Sequence, residues 1–346
     1  MKRNEKREPN FENLRKVLRR ETPDRPTLFE FYIDNDISEK LTGMKAQSAW
    51  DCSWNYEMII PAMQRAGYDY ATMHGSSFGF PVERAHGQTV SMSKGVIEDR
   101  ETFERYPFQD PDRSDYSRLA RAEKLLPPGM KIIVFGPGGV LENVISLVGY
   151  ENLCYLLFDN EKLVEDIFEA VGGRLIRYYE NCLKYDCVGA VISNDDWGFN
   201  TGTMLSTEDM RKYVFPYHKK IVELAHKSGR PAILHSCGNL EKVMDDLIDD
   251  MKYDGKHSYE DKILPVEDAY RRYGERIAIL GGVDLDFVCR STPEEVRKRC
   301  ESLVRTTRCK GYALGTGNSI PNYVPPENFR AMIRAVYPEF TFFAET

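Results

Sequence analysis

The chain of 346 residues lacks several features that would assign a protein to a class at once. It contains no apolar run approaching the roughly 18 residues that a transmembrane helix needs. The first residues, 1–20, are charged throughout and lack the apolar core of a signal peptide, so we expect a cytoplasmic protein. A net charge of −7 is unsuited to phosphate-backbone binding, so we expect neither a nucleic-acid partner nor a membrane.

The eight cysteines do not predict a disulfide framework, because the chain is long and has no secretory signal. Most of them are expected to be buried thiols that pack as small hydrophobic groups. Cys237 differs from the others because it follows His235 by two residues.

Short β-rich runs alternate with helical patterns over most of the chain, and no internal repeat interrupts the alternation. Eight strands are predicted, at 27–31, 68–72, 131–135, 189–193, 231–235, 253–257, 277–281 and 311–315. Since parallel strands need crossover helices, this alternation favours one α/β domain over 1–346, a (β/α)8 TIM barrel. A helix over 11–20 precedes the barrel, and an excursion over about 75–111 follows its second strand. The alternative, a doubly wound open sheet, requires a glycine fingerprint after the first strand, and residues 30–33 contain no glycine.

Barrel active sites lie at the carboxyl ends of the strands, and polar side chains follow the predicted strand ends in this chain. Asp195 and Asp196 are candidates for a general acid/base pair or for metal ligation, with a helix cap or a solvated turn as the alternative. The other candidate residues at these ends are Glu30, Tyr32, His74, His257, Asp284 and Asn318.

The unit His235–Ser236–Cys237 is the most specific feature of the sequence. At a strand end, residues i and i+2 point to the same side, so an imidazole and a thiolate can converge on one ion. Zinc accepts that mixture of ligands. The alternative is a hydrogen-bonded histidine beside a buried cysteine, and the spacing leaves both interpretations open.

Several segments together resemble the uroporphyrinogen decarboxylase superfamily, especially its branch of corrinoid-dependent methyltransferases that act on thiols. The resemblance extends from Leu14 to Val336 and implies a single barrel. The segments that carry it are Phe135–Gly136–Pro137, Asn194–Asp195–Asp196, His235–Ser236–Cys237–Gly238–Asn239, Gly281–Gly282–Val283–Asp284 and Pro325–Pro326–Glu327–Asn328.

In the methyltransferase branch, zinc is held by a His-x-Cys unit and a later cysteine. His235 and Cys237 match the unit, whereas the position of the later cysteine falls at Asn318. The resemblance therefore implies a zinc site completed by a carboxylate, for which Glu30 and Asp196 are the candidates. It also implies a corrinoid (methylcobalamin) as co-substrate, carried by a partner protein.

The resemblance to the decarboxylases themselves fails at two places. They carry an arginine-bearing segment after the first strand, where residues 30–36 are acidic in this chain, and an aspartate after the second, where Thr72–Met73–His74–Gly75 stands. We therefore expect methyl transfer between a corrinoid and a small nucleophile. Asp196, Asp195 and Glu30 are the expected catalytic residues, and the expected substrate contacts are His74, Tyr32, His257, Asp284 and Asn318.

Two other functions stay open from the sequence. One is a lyase of the decarboxylase type that acts on a carboxylated substrate through Asp195 and Asp196. The other is a non-catalytic protein that binds a corrinoid or tetrapyrrole. A monomer and a homodimer are both compatible with the sequence.

Overall fold

A curled sheet of seven parallel strands forms the centre of the computed structural model, which describes residues 7–46, 55–82 and 95–342. A short antiparallel hairpin of two further strands follows the third strand of the sheet. In the order of the sheet the strands are β1 (Tyr70–His74), β2 (Lys131–Phe135), β3 (Val188–Asn194), β6 (Ala232–His235), β7 (Gly255–His257), β8 (Ala278–Leu280) and β9 (Tyr312–Ala313), and the hairpin is β4 (Gly198–Phe199) and β5 (Gly202–Thr203).

Helices connect the strands of the sheet, which makes the parallel order possible. The expected α/β fold of the TIM-barrel type is thereby confirmed. The helices are α1 (Phe11–Leu18), α2 (Asn35–Thr42), α3 (Tyr56–Ala66), α4 (Arg100–Arg105), α5 (Ser117–Leu125), α6 (Val140–Val148), α7 (Tyr150–Asp159), α8 (Glu161–Cys182), α9 (Thr207–Asp209), α10 (Phe215–Lys227), α11 (Val266–Tyr273), α12 (Leu285–Arg290), α13 (Pro293–Thr307) and α14 (Pro326–Arg334).

The first predicted strand, 27–31, is wrong in its extent. This segment makes a single parallel bridge to the sheet, between Leu28 and Leu314 just beyond β9. On its other side, the backbone N–H of Glu30 donates to the Tyr70 hydroxyl over 2.7 Å, and that hydroxyl donates to the carbonyl of Glu30 over 2.8 Å. A side chain of β1 thus satisfies backbone groups that a regular strand would pair with its neighbour.

Local capping explains which helices were predictable. Thr292 and Glu295 form a reciprocal capping box at the start of α13, with Pro293 in the first turn, as the sequence indicates. The capping roles of Asp34 and Asp284 were missed, and these residues begin α2 and α12. The segment 240–250, whose apolar spacing favours a helix, is helical over 241–250, with a 3-10 turn at Glu241–Val243 and a π-helical turn at Asp246–Asp250.

The predicted excursion over 75–111 is described only in part, because residues 83–94 lie outside the described ranges. Its described portion contains α4, which begins after the capping residue Asp99. Across the described ranges, no helix combines the length and the apolar character needed to cross a bilayer.

Candidate metal centre

Three potential metal ligands converge where β3 and β6 end. Asn194 and His235 are opposite each other in the β3–β6 pairing, so the residues that follow both strands meet at one edge of the sheet. One ligand atom each from Asp196, His235 and Cys237 lies within 4.8 Å of the others. The sequence pairs His235 with Cys237 through their spacing, but only the neighbouring strand brings Asp196 to them.

The separation of the two softer ligands suits a metal ion. His235 Nε2 and Cys237 Sγ are 4.0 Å apart. With bond lengths of 2.0–2.1 Å for Zn–N and 2.3 Å for Zn–S and a tetrahedral angle, the ligand nitrogen and sulfur lie about 3.6 Å apart. A shift of about 0.4 Å therefore closes the pair around zinc, and the donor set fits the group that the sequence implies.

A chain of hydrogen bonds fixes which nitrogen of His235 faces this cluster. The carbonyl of Thr316 can only accept, so His257 Nε2 donates to it over 3.1 Å. The Nδ1 of a neutral His257 is then an acceptor, and His235 Nδ1 donates to it over 2.8 Å. Burial lowers the pKa of His257 well below its usual value and lowers that of His235 to about 3, so both rings are neutral at pH 7. His235 consequently presents a bare Nε2 lone pair to Cys237, the form in which histidine binds metals.

Polar groups surround the sulfur of Cys237. Ser258 Oγ lies 3.5 Å from Sγ, and Asn318 Nδ2 donates to Sγ over 3.3 Å. The backbone N–H of Cys237 donates to Asp196 Oδ1 over 2.7 Å, which leaves Oδ2 for another partner. Burial and the nearby Asp196 raise the pKa of Cys237 to about 12. The thiolate that a metal requires would therefore form only with the positive charge of the ion.

The β4–β5 hairpin holds the loop that carries Cys237. Asn239 N–H donates to the carbonyl of Phe199 over 2.8 Å. Gly238 has a φ of +89°, and a Cβ there would lie 2.1 Å from the carbonyl oxygen of Gly198. Glycine is required at this position because the two backbones touch.

Glu30, one of the two carboxylates expected to complete the metal site, lies outside this cluster. Its side chain is fully buried, and its oxygens accept from the backbone N–H of Thr316 over 2.6 Å and bond the Thr316 hydroxyl over 2.7 Å. Burial raises the pKa of Glu30 to about 8. Asp196, the other carboxylate expected from the sequence, is the described carboxylate that lies near His235 and Cys237, because it follows the strand next to β6.

The side chain of Asp195 points into the protein, away from the His235 and Cys237 side chains that lie near Asp196. Its oxygens accept from the backbone N–H groups of Leu141 and Glu142, both over 2.9 Å, at the start of α6. The Trp197 indole donates to Oδ2 over 3.0 Å, and His218 Nε2 lies 2.9 Å from the same oxygen. Asp195 is thus a helix-binding residue in this structure, fully buried and engaged on both oxygens.

Sequence reasoning missed two titratable residues beside the cluster. Glu142 accepts from the backbone N–H of Gly139 over 3.2 Å, and burial raises its pKa to about 8. The Lys256 ammonium is buried and donates to the carbonyl of Ser258 over 2.6 Å, and burial lowers its pKa to about 8. Neither residue follows a predicted strand end, because Glu142 lies in the first turn of α6 and Lys256 lies within β7.

The remaining predicted residues occupy three different surroundings. Asp284 caps α12 and accepts from the backbone N–H of Asp261 over 2.8 Å, so its carboxylate is hydrogen-bonded to backbone N–H groups. Tyr32 packs against the hydrophobic core, and its carbonyl accepts from Ile320 N–H over 2.8 Å. His74 ends β1, and its ring centre lies 4.2 Å from that of Phe135.

His74 lines an open cleft of about 520 Å3 beside the cluster. Phe31 also lines the cleft, and its ring lies against His235 with 4.3 Å between the ring centres. The cleft and the candidate metal centre therefore share a wall.

Comparison with known proteins gives a family and a fold. The family model described as uroporphyrinogen decarboxylase (URO-D) matches residues 64–338. A uroporphyrinogen decarboxylase of Synechococcus sp. (strain CC9605) is 30% identical over 180 residues, which is 50% of this chain and 46% of that protein. One of Anaeromyxobacter sp. (strain Fw109-5) is 27% identical over 191 residues, 55% of this chain and 52% of that protein. The chain thus spans about half the length of the curated relatives it matches.

A solved structure, a methyltransferase from Methanosarcina mazei, has the same fold. It superimposes with a TM-score of 0.67 over 95% of this chain and 98% of its own, at 15% sequence identity. At that identity the likeness concerns the fold, and the chemistry has to be argued from the site.

Proposed function

Since the chain belongs to the uroporphyrinogen decarboxylase family, we propose that it is a zinc-dependent methyltransferase that moves a methyl group between a corrinoid and a small nucleophile. The convergence of Asp196, His235 and Cys237 within 4.8 Å is the observation that carries this proposal. The family holds decarboxylases as well, and a cluster of cysteine, histidine and carboxylate is a donor set for zinc rather than for a carboxylated substrate.

The described residues have distinct roles in this proposal. His235 Nε2, Cys237 Sγ and Asp196 Oδ2 hold the ion, and three protein ligands leave the open position that a catalytic zinc site keeps. When bound, zinc supplies the positive charge that keeps a coordinated thiol or hydroxyl deprotonated near neutral pH. His257 orients His235, and Asn318 and Ser258 hydrogen-bond the sulfur of Cys237.

The carboxylate ligand affects which nucleophile the site favours. Asp196 provides a hard oxygen ligand where the thiol-specific relatives implied by the sequence have a second thiolate. A site with one thiolate donates less electron density to zinc and is more Lewis-acidic. An oxygen nucleophile therefore suits this site as well as a thiol does.

The corrinoid is proposed to arrive on a separate partner protein, which docks at the end of the sheet where the cluster and the cleft open. Of the expected substrate contacts, His74 lines this cleft, and Asn318 and His257 adjoin the cluster. His74 and Asn318 are the substrate-side residues that we retain in the proposal, because His257 is buried and both of its ring nitrogens are engaged.

Metal analysis of the purified full chain tests the proposal. We expect about one zinc per chain, and we expect Cys237→Ala and His235→Gln to lose most of it. His226→Gln is the matched control, because His226 pairs with Asp254 over 2.8 Å at the end of α10 and takes no part in the cluster. Substoichiometric zinc that does not respond to Cys237→Ala would contradict the proposal.

A decarboxylase is the second candidate, favoured by the similarity of the chain to uroporphyrinogen decarboxylases. Uroporphyrinogen carries many carboxylates, which need basic partners to bind out of water. No Lys or Arg is found among the cleft-lining residues that the structure describes. Incubation with uroporphyrinogen distinguishes the candidates: release of carbon dioxide would favour decarboxylation, and unchanged substrate is expected from a methyltransferase.

A further inference from the structure

The cleft beside the candidate metal centre has an unusual lining. Four phenylalanine side chains form much of its wall, namely Phe31, Phe78, Phe80 and Phe135. Phe78, Phe80 and Phe135 are buried at 3%, 8% and 6% exposure, so their rings are held in place by the core. The volume of about 520 Å3 is within the range of small-molecule sites.

The rings are arranged for contact with one another and with the cluster. Phe31 and Phe135 meet edge to face with 5.0 Å between their centres, and Phe78 and Phe80 do so at 5.2 Å. A flat ring placed among them gains offset or edge-to-face contacts, which an aliphatic chain of equal size does not. Because Phe31 also lies against His235, a ring bound there is next to the candidate metal ligands.

Apart from His74, no described residue of the lining has an ionisable side chain. Asn194 Oδ1 accepts from Gly136 N–H over 3.0 Å, and Gln109 Oε1 accepts from Gly79 N–H over 3.1 Å. Each amide thus has its oxygen engaged, and within the described ranges its side-chain NH2 group has no partner and can donate to an oxygen atom of a ligand.

Anion binding is disfavoured in the described part of this cleft. No Asp, Glu, Lys or Arg is among its described lining residues, so a carboxylate there would lack a counter-ion. The turn Gly136–Gly139 leads into α6, whose positive N-terminal end would attract an anion. That end is already occupied by Asp195, which accepts from Leu141 and Glu142.

We infer that the cleft binds an uncharged single-ring aromatic compound carrying an oxygen acceptor, of the class of phenol and methoxybenzene. At the metal centre such a compound would be the methyl acceptor or donor, and this role rests on the proposed function. Binding itself depends on the cleft alone, so it can be measured with and without metal.

Calorimetric titration of the full chain, both zinc-loaded and metal-free, tests the inference. The probes are phenol, methoxybenzene, cyclohexanol as the non-aromatic match and benzoate as the anionic match. We expect phenol and methoxybenzene to bind in both forms of the protein. We expect cyclohexanol and benzoate to bind roughly tenfold more weakly or not at all.

Two variants and one control locate the binding. Phe80→Ala is expected to weaken phenol binding roughly tenfold. Phe199→Ala, whose side chain lies on the hairpin outside the cleft and is 42% exposed, is the control and should leave binding unchanged. Ser77→Arg places a cation at an exposed position of the lining and should create benzoate binding without disturbing the core.

Benzoate binding as tight as that of phenol in the unaltered protein would overturn the inference, as would phenol binding insensitive to Phe80→Ala. Undetectable binding of both neutral aromatic probes would also overturn it. These outcomes are independent of the proposed function, which fails separately if the protein holds no zinc. Aromatic binding in a protein without zinc would uphold the cleft and reject the metal chemistry.

Discussion

At the residue scale, His257 decides how His235 can act. The sequence predicts His257 as a substrate contact, but the structure places it between the carbonyl of Thr316 and His235 Nδ1. A buried imidazole bonded in this way fixes the tautomer and the ring orientation of its neighbour, as outer partners of metal-binding histidines commonly do.

Replacement of His257 by phenylalanine removes the acceptor for His235 Nδ1. We expect zinc affinity to fall about 10–100-fold, because His235 is then free to adopt the other tautomer and to rotate. Competition with a chromogenic chelator measures the affinity. His257→Gln, which can accept and donate, should recover part of it. Equal zinc affinity in all three proteins would exclude a positioning role for His257.

Asn318 is the second residue whose role is set by contact. Its amide lies 3.3 Å from Cys237 Sγ, at the position where the resemblance places a further cysteine. We expect Asn318→Cys to raise zinc affinity roughly tenfold or more, because a thiolate is a far better zinc ligand than an amide. Asn318→Ser is the matched control, with similar size and no thiol. Unchanged affinity in Asn318→Cys would mean that residue 318 does not face the ion.

At the element scale, the adjacent aspartates Asp195 and Asp196 serve two different elements. Gly139, just before α6, comes so close to Asp195 that a Cβ on residue 139 would lie 2.0 Å from the Asp195 Cβ. The Gly136–Gly139 turn therefore allows α6 to dock its first turn on Asp195. Glycines in this turn are typical of close backbone approach to a ligand or a helix, and in the structure Asp195 and the start of α6 meet there.

Removal of the Asp195 carboxylate should destabilise the fold. Asp195→Ala leaves the buried donors of Leu141, Glu142 and Trp197 without an acceptor, so we expect the free energy of unfolding to fall by about 3–5 kcal/mol. Urea unfolding provides the measurement. Asp196→Asn, which keeps an acceptor for Cys237 N–H, should lose zinc with little change in stability. A stable Asp195→Ala protein without methyl-transfer activity would instead support the catalytic role predicted from the sequence.

At the scale of the whole molecule, Glu30 ties the two ends of the chain together. It lies in the segment before α2 and bonds Thr316, which follows β9. The sheet thus gains a contact between residues 286 positions apart that no local pattern predicts. The division into one domain with an insert at 75–111 is compatible with this arrangement and stays a prediction.

Stability should depend on pH through Glu30. Burial raises the pKa of Glu30 to about 8 in the folded chain, against 4.5 for an exposed glutamate. Between pH 4.5 and pH 8, the folded state therefore holds a proton that the unfolded state has released. The stabilisation is fully present below pH 4.5 and is lost as the pH rises towards 8. The slope is at most about 1.4 kcal/mol per pH unit for one proton.

Comparison with Glu30→Gln isolates this effect from other titrating groups. Between pH 5 and pH 8, the free energy of unfolding of the glutamine variant should fall less than that of the unaltered protein. Chemical denaturation at several pH values measures both. Parallel pH profiles of the two proteins would show that Glu30 is not protonated in the folded state.

The sequence by itself determined the order of the elements. Proline, glycine and capping residues act on their immediate neighbours, so Pro293 and Thr292 predict α13 and the apolar run 131–135 predicts β2 wherever the rest of the chain lies. The same local spacing paired His235 with Cys237. Asp34 and Asp284 are equally local caps, but the helices that they begin are not among the elements predicted from the sequence.

Tertiary structure alone decided which acidic residue joins that pair. Glu30, Asp195 and Asp196 all lie at predicted strand ends, and nothing in the sequence separates their environments. The curl of the sheet and the β3–β6 register place Asp196 at the cluster, turn Asp195 under α6 and bury Glu30 against Thr316. Distances between residues remote in sequence depend on strand pairing and packing, which the local properties of a chain do not specify.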